Sequence, residues 1–301
     1  MTEAEFIAHL RRMPLHPGAH GLVDDSAVID TGPLVVTTDT LVEGVHFLPD
    51  DPPGDVAWKL VATNLSDLAA KGALVEGVLL NYPLGDDGWD EAFLAGLSAV
   101  LIRFDARLIG GDTVSLRGPR VLTLTALGRD AAAPVRSGAK PGDMLWVTGT
   151  IGDARLGLAI AMGADGPEGL RDAYRRPQPR LDEGRALGPI VHAMMDVSDG
   201  LLIDAARMAA ASGLAVAIDL DAVPLSPAAR AYAGEDRPTR LAAATAGDDY
   251  ELLFALPPEG VPPVPATRIG HFRNGEGLSL SDSAGPVPLP PRLGFEHASS
   301  R

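Results

Sequence analysis

The stretch VVTTDTLVEGVHF, residues 35–47, is the feature that most constrains how this chain can fold. Its β-branched residues predict a buried strand. We expect that strand to end in Thr37, Thr38 and Asp39, three consecutive oxygen-bearing side chains, with His46 following seven residues after Asp39. Because Mg²⁺ prefers hard oxygen ligands, the pattern indicates a magnesium site at the strand end. Taken alone, the stretch leaves the role of His46 open.

Length and composition limit the class of protein. A chain of 301 residues allows two domains of ordinary size or one large domain. No apolar run approaches the roughly 18 residues of a membrane span, and the start, MTEAEFIAHLRR, lacks the apolar core of a signal peptide. We therefore expect a soluble protein with no membrane partner. The absence of cysteine excludes disulfides and thiolate chemistry, and it fits a reducing cytoplasm.

The charge is strongly negative. The formal net charge is −15, from 40 acidic and 25 basic residues, which argues against a nucleic-acid partner because binding phosphate backbones needs clustered Lys and Arg. The charge by itself indicates only solubility. Several carboxylates, however, stand next to glycine, in pairs that favour tight turns. They are Asp112, Asp153, Asp199 and Asp248.

Helical and strand patterns alternate along the chain. Thr2 and Glu5 form a capping box that predicts a short first helix. Longer helices are predicted from Asp55 to Gly72 and from Trp89 to Phe104. Their apolar residues at core spacing are Val56, Leu60, Leu65, Leu68, Phe93, Leu97, Leu101 and Phe104. In the second half, Pro141 and Gly142 predict a type II turn, and strands are predicted over 144–148, 215–219, 247–256 and 267–272.

Three groups of polar residues each allow two interpretations. Each is either ordinary local structure, namely a turn, a solvated helix face or a helix cap, or a set of ligands for a metal or phosphate. The groups are Asp24 with Asp25; Asn64, Asp67 and Lys71 at helical spacing; and Asp196, Ser198 and Asp199 before a helix predicted to run to Gly213. For an isolated group, the local interpretation is favoured.

Several catalytic motifs are absent. None of the three lysines precedes Ser or Thr as in a Walker A loop, and neither HExxH, GxSxG nor a dinucleotide-binding glycine fingerprint occurs. What remains is a set of Asp-bearing turns. If these carboxylates converge, their repulsion predicts several Mg²⁺ ions between them. Bound metal and glycine-rich backbone would then hold a nucleotide without a P-loop.

A family resemblance joins these features. Eight short motifs occur in a fixed order: DDSAVI, TTDTLVEGVHF, WKLVATNLSDLAAKGA, IGGDT, RSGAKPGDMLWVTGTIGDARLGL, RRPQPR, MDVSDGLLIDA and GDDYELLF. Together they closely resemble bacterial thiamine-monophosphate kinase over nearly the whole chain. That family is related to aminoimidazole ribonucleotide synthetase and selenophosphate synthetase. The resemblance implies an α/β (α+β) fold in two domains. Residues 1–135 would form an N-terminal α/β domain with the Mg²⁺ and ATP site and a mixed sheet that pairs across a homodimer, and residues 136–301 a C-terminal α/β sandwich that completes the active site.

The resemblance also implies an activity and a set of residues. The reaction would be ATP plus thiamine monophosphate giving ADP and thiamine diphosphate, the last step of thiamine diphosphate biosynthesis. The implied Mg²⁺ ligands are Asp25, Thr37, Thr38, Asp39, Asp67, Asp112, Asp196 and Asp199, with Asp67, Asp112 and Asp196 as catalytic residues. Contacts to ATP fall on Leu94, Gly111, Asp112, Arg136 and Ser198, and contacts to the thiamine substrate on His46, Asp248 and Phe295.

Two positions depart from the family pattern. Val23 stands where the family usually has glycine, in the loop that carries Asp25. Asp248 stands where the family usually has Glu, and its side chain is shorter by one methylene, so a bridging water would take the place of a direct substrate contact.

Two other functions are compatible with parts of this pattern. One is a different ATP-using enzyme of the same superfamily. Selenophosphate synthetase is disfavoured by the lack of cysteine, and aminoimidazole ribonucleotide synthetase by the VEGVHF and DYELLF motifs. The other is a non-catalytic acidic domain that binds Mg²⁺ or nucleotide as a sensor.

Overall fold

The structure, a computed structural model, describes residues 2–22, 27, 29–30 and 32–296. The chain divides into two compact units. The first unit is Met1–Leu68 with Ala73–Ala131, and the second is Ala69–Gly72 with Ala132–Arg301. The predicted domain boundary between residues 135 and 136 stays a prediction.

The first unit is a mixed four-stranded sheet with helices. Its helices are α1 Glu3–Leu10, α2 Pro53–Ala69 and α3 Asp87–Arg103, with a 3₁₀ turn at Pro17–Leu22. Its strands are β1 Val35–Val42, β2 Leu74–Leu84, β3 Leu108–Ser115 and β4 Val121–Arg129. The sheet order is β1-β4-β2-β3. Only the β2–β3 pair is parallel, so the predicted mixed α/β sheet is confirmed.

The core of the first unit follows the predicted helical spacing. The apolar positions predicted within α2 and α3 are buried, as their recurrence every three or four residues requires. Phe104 is the exception, because α3 ends at Arg103 and Phe104 is only partly buried. Helix α1 begins with the predicted capping box, in which Thr2 and Glu5 bond to each other's backbone N–H. Phe6 of α1 stacks on Tyr82 of β2 with ring centroids 4.5 Å apart, and Tyr82 meets Phe93 of α3 at 4.7 Å. These rings attach α1 to the sheet and α3.

The second unit is built on a mixed seven-stranded sheet. Its strands are β5 Met144–Thr148, β6 Ala193–Asp196, β7 Ala215–Asp219, β8 Leu252–Leu256, β9 Ala266–Arg273, β10 Gly277–Asp282 and β11 Gly285–Val287, in the order β11-β10-β7-β9-β5-β8-β6. Its helices are α4 Asp153–Ala161, α5 Glu168–Arg175, α6 Leu181–Leu187, α7 Leu201–Ala211, α8 Pro227–Ala233 and α9 Arg237–Ala244. The core joins buried residues of α7 to strands β5, β6 and β7.

The turn that leads into β5 has the predicted form. Gly142 has a φ of +92°, as the third residue of a type II turn requires, and Asp143 N–H donates to the Lys140 carbonyl at 3.1 Å. In the part of the chain that the structure describes, no helix has the length and apolar character needed to cross a membrane.

Three sequence expectations need correction. Strand β1 does not end at Asp39 but continues to Val42, because eight of its residues pair in register with β4. Helix α2 ends at Ala69, where Gly72 N–H caps the Ala69 carbonyl at 2.9 Å, so Lys71 lies beyond the helix face that carries Asn64 and Asp67. The predicted strand over 247–256 begins only at Leu252.

Candidate active site

In the first unit, strand β1 and helix α2 bring four polar residues together. Thr37 and Asp39 lie on the same, partly buried side of β1, because side chains alternate along a strand. Asn64 and Asp67 lie one turn apart on α2. The Thr37 hydroxyl donates to the Asp67 carboxylate, and the Asp39 N–H donates to the Asn64 Oδ1 at 3.0 Å. The predicted ligands Thr37, Asp39 and Asp67 are therefore assembled on regular secondary structure.

Thr38 is oriented differently. Its side chain lies on the opposite, exposed face of β1, where Thr125 of β4 donates to it at 3.1 Å. The Thr38 hydroxyl in turn donates to the Leu124 carbonyl at 3.1 Å. In the first unit, the Thr38 side chain is thus separated from those of Thr37 and Asp39.

His46 lies in the turn that follows β1. Its Nδ1 accepts a hydrogen bond from the Val42 N–H at 3.0 Å, so in the neutral ring the proton is on Nε2. The buried Lys59 of α2 donates to the His46 carbonyl at 3.0 Å and fixes the turn. The Nδ1 atom is thereby committed to the backbone.

Gly111 and Asp112 lie at the far edge of the same sheet. Asp39, Leu124, Leu80 and Gly111 form one row across the four strands. Three strand spacings separate the ends of that row by about 14 Å, which is more than one metal ion can bridge. Asp112 and Asp39 are thus apart within the first unit, because β1 and β3 are opposite edge strands, and their joint role as Mg²⁺ ligands stays a prediction.

A cavity of about 480 Å³ opens beside Asp112. Helix α1 and strands β2 and β3 line most of it, with Phe6, Leu10, Asn81, Gly111 and Asp112. Ala27, two residues after Asp25, also lines it, whereas Asp25 and Val23 lie outside the described residues. Leu94 has no such opening. Its side chain on α3 is only 2% exposed, so no accessible surface supports the predicted contact between Leu94 and ATP.

In the second unit, two loops run side by side and carry most of the remaining residues. One follows β6, whose last residue is Asp196, and holds Ser198 and Asp199; the other precedes β8 and holds Asp248. The Asp248 N–H donates to the Ser198 carbonyl at 2.9 Å, and the Tyr250 N–H to the Val197 carbonyl at 2.8 Å. The C-terminal segment joins them, since the Phe295 N–H donates to the Asp199 carbonyl at 2.9 Å.

The loop before β8 is strained. Asp248 and Tyr250 both have left-handed backbone conformations, with φ of +69° and +51°. For residues with a side chain, such conformations cost on the order of 1–3 kcal/mol each. The Tyr250 hydroxyl donates to Asp248 Oδ1 at 3.0 Å and orients the carboxylate that the family resemblance assigns to the substrate.

Asp249, between these two residues, points inward. Its Oδ1 accepts the Gly152 N–H at 2.8 Å, and its buried Oδ2 has no hydrogen-bond partner among the described residues. Burial is the main cause that raises the pKa of the Asp249 carboxyl well above its ordinary value, and the carboxylates of Glu251, Asp153 and Asp248 act in the same direction. Asp249 therefore ties the loop before β8 to the start of α4.

Arg136 lies away from this group. Its carbonyl accepts a bond from Ser212 at 3.5 Å, at the C-terminal end of α7, whereas Ser198 and Asp199 precede the N-terminal end. Eleven helical residues separate the two ends by about 16 Å. Arg136 and Ser198 are thus not neighbours in the second unit, and their shared contact with ATP stays a prediction.

Comparison with known proteins identifies the family. Residues 23–129 match the AIR synthase related protein, N-terminal domain, and residues 140–282 match the C-terminal domain of the same description. A thiamine-monophosphate kinase of Caulobacter vibrioides is 42% identical, with 98% of this chain and 91% of that protein aligned. The chain belongs to the thiamine-monophosphate kinase family.

Solved structures of this family share the fold. A crystal structure of thiamine-monophosphate kinase from Stenotrophomonas maltophilia K279a has a TM-score of 0.80 and 38% identity, covering 92% of this chain and 94% of that one. A structure described as AaThiL complexed with AMPPCP and TMP also has a TM-score of 0.80, with 30% identity and coverage of 93% and 97%. The two-domain α/β architecture expected from the family resemblance is confirmed.

The family resemblance assigns several residues to magnesium, and their side chains carry the type of atom that this metal binds. Two carboxylates, Asp39 and Asp67, and the Thr37 hydroxyl are hard oxygen donors. No group of three or more His, Cys, Asp or Glu side chains suited to a metal occurs among the described residues. Mg²⁺ is usually held by one or two carboxylates together with substrate phosphates, so this set suffices.

Three residues hold these ligands in place. Asn64 is buried and fixes the Asp39 backbone, Tyr250 orients Asp248, and Asp204 binds the loop that carries Ser198 and Asp199. Helical spacing with Asp67 indicates Asn64 in the sequence. The roles of Asp204 and Tyr250 depend on contacts that no sequence period reveals.

Proposed function

We propose that this protein transfers the γ-phosphate of ATP to thiamine monophosphate, giving ADP and thiamine diphosphate. The main support is the similarity over more than nine-tenths of the chain to proteins named thiamine-monophosphate kinase, one of them described as complexed with AMPPCP and TMP. The assembled Thr37, Asp39 and Asp67 oxygens support metal-assisted chemistry in this chain.

The first unit would hold magnesium and the nucleotide. Thr37, Asp39 and Asp67 would hold Mg²⁺, which would neutralise charge on the phosphates and keep them in line. Asn64 fixes the backbone of Asp39, and the Thr37 hydroxyl bonds to Asp67, so these oxygens are oriented before ligands arrive. The cavity beside Gly111 and Asp112 has a volume in the usual range for small-molecule sites. It supports a nucleotide contact there.

The second unit would hold the thiamine end of the substrate. The thiazolium ring is a cation, so a carboxylate and an aromatic face suit it. Asp248, held by Tyr250, offers the carboxylate, and Phe295, 46% exposed and anchored at Asp199, offers the ring. Asp196 at the end of β6 and Asp199 in the loop that follows would add oxygen ligands for Mg²⁺, and Ser198 a contact for ATP.

The acceptor does not require a general base. Thiamine monophosphate is a phosphate monoester whose second pKa is about 6, so its oxygens are largely ionised at neutral pH. The main barrier is repulsion between two polyanions, and this chain's contribution is to position and neutralise them. We therefore propose direct in-line transfer without a phosphoenzyme.

The homodimer expected for the family is part of this proposal. The outward face of β1 and β4 exposes Val36 and Val121, and a Thr40–Thr123 hydroxyl pair at 2.8 Å lies between them. Sedimentation at micromolar concentration tests the assembly, and a monomer at all concentrations would contradict it.

A product-resolved assay tests the reaction. Purified protein with ATP, Mg²⁺ and thiamine monophosphate should form thiamine diphosphate and ADP in equal amounts. Calorimetry that detects ATP binding, in a protein that forms no ADP when the acceptor is added, would instead support a non-catalytic nucleotide-binding domain.

A further inference from the structure

A buried carboxylate organises the loop that carries Ser198 and Asp199. Asp204, in the first turn of α7, is fully buried, with a relative exposure of 0%. Its Oδ2 accepts the N–H groups of three successive residues, Ser198 at 3.2 Å, Asp199 at 3.1 Å and Gly200 at 3.2 Å. Its Oδ1 accepts the Arg207 Nη1–H at 2.9 Å.

This arrangement extends beyond ordinary helix capping. A carboxylate in the first turn of a helix can accept the N–H of the N-cap residue, here Gly200, as in the capping box of α1. Asp204 also accepts the N–H groups of Ser198 and Asp199, which lie before the N-cap. These two bonds fix the loop that precedes the helix, and all four hydrogen bonds together offset the cost of burying the carboxylate.

The same carboxylate also controls the Asp199 side chain. Arg207 Nη1 donates both to Asp204 and to the Asp199 carboxylate, so one cation links the two. The backbone at Gly200 is confined as well. Its φ is +130°, and an added Cβ would approach the Ala246 carbonyl oxygen to 2.9 Å. The peptide planes of the loop and the Asp199 carboxylate thus share one anchor.

We propose that Asp204 is a positioning residue of the active site. It holds the Ser198 and Asp199 peptides and, through Arg207, the Asp199 carboxylate in the orientation that binds a divalent cation and the nucleotide. The part of this inference that concerns the reaction rests on the proposed kinase function, whereas the hold of Asp204 on the loop does not.

Amide hydrogen exchange and cation binding test the inference with matched variants. Asp204→Asn keeps the size of the side chain but replaces one acceptor oxygen by a donor. Asp282→Asn is the control, because Asp282 also combines a bond from a backbone N–H, that of Ala284 at 2.9 Å, with bonds from an arginine, Arg237. Val197 is an internal reference, since its N–H donates to the Glu251 carbonyl and not to Asp204.

In Asp204→Asn we expect the amides of residues 198–200 to exchange at least tenfold faster, with Val197 unchanged. Mn²⁺ binding, titrated by electron paramagnetic resonance without nucleotide, should weaken by about 10- to 100-fold, the range typical when a partner of a metal ligand is lost. Asp282→Asn should stay within twofold of the wild type in both measurements. A higher Mg²⁺ requirement for turnover, partly restored by saturating Mg²⁺, would support positioning over general destabilisation.

The inference is overturned if folded Asp204→Asn exchanges at residues 198–200 and binds Mn²⁺ as the wild type does. If Asp204→Asn does not fold, hydrogen exchange in the wild-type protein provides the test. The amides of residues 198–200 must then exchange at least tenfold more slowly than loop amides that have no hydrogen bond. Exchange at the unprotected rate contradicts the inference. Should the wild type form no thiamine diphosphate while both shifts appear in the variant, the proposed function fails and the positioning role stands.

Discussion

The two groups of candidate residues are built in different ways. In the first unit, Thr37, Asp39 and Asp67 lie on a strand and a helix, and the alternation of β1 and the turn of α2 place them. In the second unit, Asp199 and Asp248 lie on irregular loops. Regular structure satisfies its own backbone groups, whereas loops need side chains to do so. The second group therefore depends on supporting side chains more than the first, in which Asn64 accepts the Asp39 N–H.

The supporting residues of the second unit are mostly buried acids and a tyrosine. Asp204 binds the loop after β6, Asp249 ties the loop before β8 to α4, and Tyr250 orients Asp248. Their hydrogen bonds offset the strain of two left-handed residues. We expect substitutions in the first unit to act on chemistry with little change in stability, and those in the second to act on both.

The largest expected effect is in the first unit. Asp67→Asn should lower turnover by roughly 10²- to 10³-fold, the loss typical when one charge-stabilising group is removed from an active site. The unfolding midpoint should change little, because the amide oxygen can still accept the Thr37 hydroxyl. Steady-state kinetics and calorimetry check both points, with Glu91→Gln on exposed α3 surface as the control. Wild-type turnover in Asp67→Asn would remove this residue from the site.

The next effect concerns the pH dependence of stability. The pKa of Asp249 is raised in the folded protein, so its protonated form is favoured by folding. The contribution of Asp249 to the free energy of unfolding should be fully present below the pKa of its carboxyl in the unfolded chain, about 3.9. It should be lost as pH rises towards the pKa in the folded protein, by at most about 1.4 kcal/mol per pH unit. Asp249→Asn removes this dependence, so its stability relative to the wild type should increase between pH 5 and 7 in urea titrations.

Asp236→Asn provides a control of opposite sign. The pKa of the exposed Asp236 is lowered by its bonds to Thr239. The contribution of Asp236 to stability is therefore present above the pKa of its carboxyl in the unfolded chain, and it is lost as pH falls. A stability difference between Asp249→Asn and the wild type that stays constant with pH would show that Asp249 is not held protonated.

A close contact between the loop after β6 and the loop before β8 gives a smaller effect. A Cβ on Gly247 would lie 2.4 Å from the Ser198 carbonyl oxygen. Gly247→Ala should therefore destabilise the protein by about 2 kcal/mol, a typical cost of overpacking. Gly169→Ala is the matched control, because nothing lies within 4 Å of its Cβ and it is inside helix α5. The control should gain up to about 1 kcal/mol, and equal melting temperatures for both variants would contradict the close packing of the loops.

The smallest effect is at the substrate carboxylate. Tyr250→Phe removes the hydroxyl that bonds to Asp248 at 3.0 Å. Losing one such bond costs about 0.5–1.5 kcal/mol, so KM for thiamine monophosphate should rise by roughly two- to tenfold with little change in kcat. Tyr232→Phe loses a comparable bond to the Asp165 carbonyl, 2.7 Å long and on the surface, and should leave KM unchanged. A lower kcat at constant KM would contradict a role in substrate binding.

The sequence predicted the group on regular structure in the first unit much better than the group on loops in the second. Helical spacing predicted the buried faces of α2 and α3, and the motif order predicted the family and the two-domain fold. The length of β1 could not be predicted, because it depends on pairing with β4, whose Val121 is 79 residues after Val42 in the chain. The start of β8 was missed because Asp248 and Tyr250, neither of them glycine, adopt left-handed conformations that only tertiary contacts sustain.

Prediction of the candidate site from the sequence is limited in the same way. The candidate ligands were found through motifs, yet the separation of Asp112 from Asp39 follows from strand order, which local sequence does not encode. Asp204 has the sequence appearance of an acidic residue in a first helical turn. Only its bonds from the Ser198 and Asp199 N–H groups distinguish an anchor for the preceding loop from a helix cap.

The most direct test of the central claim is a chromatographic assay that resolves thiamine monophosphate, thiamine diphosphate, ATP and ADP over time. With Mg²⁺ present, we predict thiamine diphosphate and ADP in a one-to-one ratio, and no product when Mg²⁺ is chelated. ADP formation without thiamine diphosphate, or no product from a folded protein that binds ATP, would contradict the account.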